Sequence, residues 1–145
     1  MDLNLYNSIL ADMWSYDLVL VGILVSIFVL LYSFVSNKRD TLREISNQIK
    51  REGVKNNPLL QQKENNAKVY INNMRNVNKH CIWLLLISVI HLFVTWGFFR
   101  VVPDTQYQLK KIGVSILGII VVLLTISIII QMVTIYRHYK KYTKI

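Results

Sequence analysis

The chain has 145 residues, 53% of them hydrophobic and only 17% charged, with 17 Lys and Arg against 8 Asp and Glu for a formal net charge of +9. That balance is foreign to a soluble domain of this length, and its cause is visible in the distribution: Leu18–Val35, Cys81–Phe99 and Ile112–Tyr136 contain no Asp, Glu, Lys or Arg at all. Each run is long enough to cross a hydrocarbon core of about 30 Å as a helix, and the remaining residues are too few and too polar to wrap three such helices, which excludes an ordinary globular fold.

In chain order, residues 1–15 read as an extracytoplasmic N-terminal segment. They lack the positive stretch of a cleavable signal and carry Asp2 and Asp12, with Asp17 just before the apolar run, so the first span is expected to stay in the mature protein. Transmembrane helix 1 covers 16–36. Within it Gly22, Ser26 and Ser33 share one face, and Gly22 with Ser26 has the small-xxx-small spacing that lets two helices approach closely. Residues 37–80 read as a basic cytoplasmic helical hairpin that continues spans 1 and 2. Its first arm places Leu42, Ile45 and Ile49 at helical spacing and ends at Glu52-Gly53 and Asn56-Asn57-Pro58. Its second arm aligns Ala67, Ile71, Met74, Val77 or Asn78, and Cys81 roughly on one stripe that runs into span 2. The many asparagines here, poor helix formers, leave a solvated loop as the plainer alternative.

Transmembrane helix 2 covers 81–100, a short external loop with Pro103-Asp104 covers 101–111, transmembrane helix 3 covers 112–136, and a basic tail covers 137–145. Ten Lys and Arg lie between spans 1 and 2, four follow span 3, three lie between spans 2 and 3, and none precedes span 1. The positive-inside rule therefore predicts an N-out, C-in protein of the bacterial inner membrane. Aromatic residues agree, with Trp14, Tyr16, Trp96 and Tyr107 at the outer boundary and Tyr32, Trp83, Tyr136, Tyr139 and Tyr142 at the inner one. Topology and attraction to anionic lipid account for the positive charge without nucleic acid. Arg43, Lys50 and Arg51 in the hairpin and Arg137, Lys140 and Lys141 in the tail are the candidates for contact with lipid headgroups or a cytoplasmic protein partner.

No Gly-rich phosphate loop, HExxH helix or nucleophile-base set occurs, so neither an enzyme nor a cofactor is expected. The lone Cys81 excludes a disulfide framework and a multi-cysteine metal site and is expected to pack at the membrane boundary. Polar residues inside the spans are more informative. Ser88, His91 and Thr95 recur on one face of span 2, and Ser127, Gln131 and Thr134 on one face of span 3. Counted from the run boundaries, Ser26, His91 and Thr125 fall near a common midplane, with His91 the one ionisable group that deep. Such faces are expensive in lipid and should meet other helices or water. Two readings stay open: the stripes line a pathway in a homo-oligomer, with His91 gating or relaying protons, or the hydroxyls bond to their own helices and His91 makes one interhelical hydrogen bond.

The architecture resembles three groups of proteins without sharing a motif with them. An N-out, three-span chain with a cytoplasmic C-terminus looks like the class I phage holins, although those lack so long a first cytoplasmic loop. The order of span, long cytoplasmic segment, span hairpin and tail is similar to the proton-driven motor subunits of the ExbB, TolQ and MotA kind, whose Gly-, Thr- and Pro-rich channel lining is missing here. Small multi-span effectors of bacterial antiphage systems are the third comparison. The resemblances imply a homo-oligomeric membrane protein that forms or gates a pore, or perturbs the membrane, when a cytoplasmic partner signals. The alternative is a non-conducting anchor or assembly subunit that recruits a soluble partner.

Overall fold

The computed structural model describes residues 3–52, 58–103 and 105–143, with the side chains of 3, 51, 52 and 141–143 left aside. The described residues form three helices, α1 (Leu3–Glu52), α2 (Pro58–Val101) and α3 (Tyr107–Thr143), and no strand. All three are long and apolar enough to cross a membrane. Pro58 opens α2, where its missing N–H costs nothing. Pro103 follows the end of α2, and the turn closes through Gln106 N–H to the Pro103 carbonyl at 3.0 Å. The expected breaks at Gly53, Asn56 and Asn57, and the turn residue Asp104, lie outside the described residues.

Helix starts differ from the apolar runs. α1 begins at Leu3, with Tyr6 and Leu10 already buried, and α3 begins at Tyr107, so that residues 107–111 are helix rather than loop. Charge marks the end of a run only when the charged side chain reaches solvent. Lys110 does not: it is 1% exposed and donates to Asn7 Oδ1 at 2.8 Å.

The buried positions repeat every seven residues in each helix: Leu10, Asp17, Leu24 and Leu31 in α1, then Ile45 two repeats on; Ala67, Met74, Cys81, Ser88 and Thr95 in α2; Lys110, Leu117, Leu124 and Gln131 in α3. A repeat of 3.5 residues per turn keeps one seam facing its partners and gives the shallow left-handed packing of a coiled coil. The helices are antiparallel neighbours in chain order. Asp17 meets His91, the Leu24 carbonyl meets Cys81, and Lys38 lies 5.7 Å from the Tyr70 ring centroid, while on α3 Leu117 meets His91 and Gln131 meets Val77. The central apolar cluster joins Leu20, Leu24, Ile27 and Leu31 to Met74, Val77 and Cys81 and to Leu124 and Ile128. α1 and α2 share the longest contact, which carries on past the central cluster through Lys38 and Tyr70. Beyond it Ile45 on α1 and Ala67 on α2 are still buried. Away from the seam the surface is apolar, with Val19, Val29, Ile90, Phe93, Ile119 and Val122 all more than half exposed.

One glycine sets a close approach. The Phe98 ring of α2 occupies the space that a Cβ on Gly113 of α3 would need. Gly113→Ala requires only that the ring swing aside, whereas Gly113→Leu has to separate the helices beside the turn. Overpacking of that kind costs about 1–3 kcal/mol. We expect Gly113→Leu to lower stability within that range in a reversible detergent-unfolding titration, with the alanine variant well below it.

Candidate functional site

Three helices meet at one polar junction. The seven-residue repeat turns Asp17 of α1 inward, where it is 0% exposed, and His91 of α2, 4% exposed, faces it with Nδ1 2.8 Å from Asp17 Oδ2. The other ring nitrogen, Nε2, lies 3.2 Å from the backbone carbonyl of Leu117 on α3. Thr95, one turn from His91 on the same face, has its hydroxyl 3.4 Å from Nδ1. Two buried oxygens here have no hydrogen-bond partner: Asp17 Oδ1, and Ser88 Oγ one turn along α2 in the other direction. A buried carboxylate with a single donor is poorly stabilised as an anion, so the imidazole is its main support.

Comparison with protein-family models, curated proteins and solved structures gave no match to this chain. Function therefore has to come from the placement of its own residues. Ser88, His91 and Thr95 all face the interior of a single three-helix bundle. Gln131 is buried as well and donates through Nε2 to the Val77 carbonyl at 2.7 Å, tying α3 to α2. The remaining hydroxyls bond to their own helices: Ser26 to the Gly22 carbonyl at 2.9 Å, and Thr125, Ser127 and Thr134 to the carbonyls of Val121, Leu123 and Ile130 at 2.8 Å each. Thr125 also lies 3.2 Å from the Tyr16 hydroxyl. A hydroxyl bonded to its own helix can sit on an apolar surface cheaply. The three stripes therefore do not converge: that of α2 turns inward, while Gly22 and Ser26 are exposed, with nothing within 4 Å of a Cβ built on Gly22.

The common midplane expected for Ser26, His91 and Thr125 is also displaced. His91 is level with Asp17 and Leu117, about 12–14 Å along the bundle from Ser26 and Thr125 at about 1.5 Å per residue. Asp17, just before the charge-free run of span 1, lies inside the packed bundle. It is the residue that counting charges could not find. The signal that finds it is the seven-residue spacing with Leu10, Leu24 and Leu31.

A second polar contact lies nearer the α2–α3 turn. Lys110 reaches Asn7, and Tyr6 packs edge-on against Tyr107 with ring centroids 5.4 Å apart. Cys81 is packed between the helices at 0% exposure, its Sγ 3.6 Å from the Leu24 carbonyl. Of the basic candidates, Arg43, Lys50, Arg137 and Lys140 are exposed, Arg43 lying 3.9 Å from Asp40, whereas the side chains of Arg51 and Lys141 are outside the described residues. Among the described residues no group of three or more His, Cys, Asp or Glu is placed to hold a metal ion.

Proposed function

We propose that this chain is a multi-pass protein of the bacterial inner membrane, N-terminus outside and C-terminus inside, which anchors a basic helical hairpin, residues 37–80, for recruitment of a soluble cytoplasmic partner. The observation that supports this best is where the polar side chains go. Ser88, His91, Thr95 and Gln131 are buried within one protomer, so a pathway lined by them would need the bundle to open. Beyond the apolar stretches, α1 and α2 continue with exposed Arg43, Lys50, Lys63 and Lys68 around a buried seam. That is a surface for an acidic protein or for anionic headgroups.

The test pairs two measurements. Purified protein in liposomes should give no ion flux above empty vesicles, and deletion of residues 42–79 should abolish recruitment of partners cross-linked to the intact protein in cells. Flux from the protein alone, or recruitment that survives the deletion, overturns the anchor reading.

A second reading is favoured by one observation. The exposed Gly22–Ser26 pair offers a face on which a second copy could approach closely. A homo-oligomer joined there would place any conducting or membrane-perturbing path between protomers, as in a lysis-type or phage-defence effector. Particle images of the solubilised protein separate the two readings, since a ring of copies with α1 inward supports the second and a monomer removes it.

A further inference from the structure

The hydrogen-bond pattern around His91 has a fixed proton inventory. A backbone carbonyl can only accept, so the 3.2 Å contact from Nε2 to Leu117 O requires a hydrogen on Nε2. The 2.8 Å contact from Nδ1 to Asp17 Oδ2 requires a second hydrogen, carried either by the ring or by the carboxyl. With both, the junction is formally neutral and every helix is tied to its neighbours. With only one, a lone pair must face an acceptor. The single hydrogen would then go to Nδ1, because a bond to a carboxylate is roughly twice as strong as one to a neutral carbonyl. Nε2 would be left as a bare lone pair against Leu117 O, and α3 would lose its polar tie to α2 at this level, keeping the one from Gln131 to Val77.

We propose that Asp17, His91 and the Leu117 carbonyl form a proton-binding site, in which one exchangeable proton between Nδ1 and Oδ2 holds α3 close against α2 at the level of His91. The groups within hydrogen-bonding distance of the ring are Asp17 from α1, the Thr95 hydroxyl from α2 and the Leu117 carbonyl from α3. Lys110 lies two turns away on α3 with its ammonium on Asn7, so it does not neutralise the carboxylate directly. The unpartnered Asp17 Oδ1 leaves the anion without a second donor once the proton departs. Docking is thus complete while the proton is bound and weakens once it is removed. The site stands independently of the hairpin reading and would survive its failure.

Nitrogen and carbon NMR on protein labelled in His and Asp, in lipid nanodiscs, reads the inventory directly, with His91 and Asp17 assigned by substitution. The expected result at neutral pH is two hydrogens over the pair, whether as a doubly protonated ring beside a carboxylate or as a singly protonated ring beside a carboxylic acid. A singly protonated ring beside an ionised Asp17 overturns the proposal. Asp17→Asn supplies the second measurement, since its amide can donate to Nδ1 while Nε2 keeps its hydrogen for Leu117, so α3 stays docked with no exchangeable proton. Spin labels at the exposed positions Ile90 and Ile119 should move apart with rising pH in the native background and hold their distance in Asp17→Asn. Identical pH responses in the two proteins also overturn it.

Discussion

His91→Leu is expected to destabilise the folded bundle by about 3 kcal/mol, the upper end for leaving a buried polar group without its partner. The reason is what it leaves behind: Asp17, 0% exposed, with its remaining oxygen already lacking a partner. Asp17→Leu is expected to cost less, about 1.5–3 kcal/mol, the worth of a hydrogen bond to a charged group. In that variant the ring can give up one hydrogen and keep Nε2–H for Leu117, so no bare charge remains. The double variant, with leucine at both positions, should return to within about 1 kcal/mol of the native protein, because apolar packing replaces a buried pair nearly evenly. Reversible unfolding in mixed micelles, followed by circular dichroism, measures the whole cycle. Additive single losses would mean that Asp17 and His91 act separately, contrary to their 2.8 Å contact.

The cycle bears on what a one-dimensional reading can and cannot reach. Three apolar helices follow from runs without charge, because hydrocarbon crossing imposes both length and composition. The inward stripe of α2 follows from helical spacing, with Ala67, Met74, Val77 and Cys81 buried and Ile71 half-buried. The partner of that stripe did not follow. Asp17 and Lys110 both sit at the edge of an apolar run, where an ionisable residue ordinarily marks the membrane boundary. Both instead lie on the same seven-residue frame as the neighbouring leucines of their own helices. Whether a charge at a run's edge faces solvent or a second helix depends on a neighbour distant in sequence, and spacing within one helix carries only half of that information. The packing partner also decided the level of His91, since helix register is set by side-chain contacts rather than by the centre of an apolar run.

The junction and the hairpin should be separable in stability, and Met74→Asp is the substitution that shows it. Met74 is 2% exposed and belongs to the apolar cluster, one seven-residue step before Cys81, with Tyr70 and Val77 beside it in the seam. The buried residues around it are apolar, and Lys38 lies over the Tyr70 ring at 5.7 Å from its centroid. Burying a carboxylate there costs several kcal/mol, which the chain escapes by opening the arm. A loss of about 3 kcal/mol in local opening free energy raises the open population roughly a hundredfold. Trypsin cleavage within residues 37–80 should therefore accelerate by about that factor, at Arg43, Lys50, Lys63 or Lys68, while the distance between labels at Ile90 and Ile119 stays native. Asn76→Asp adds the same charge on the exposed face of α2 and should change cleavage little, within about 0.5 kcal/mol. If the arm is what a cytoplasmic partner binds, recruitment falls with Met74→Asp and persists with Asn76→Asp. Equal cleavage rates in the two variants would mean that the seam contributes nothing to holding the arm closed.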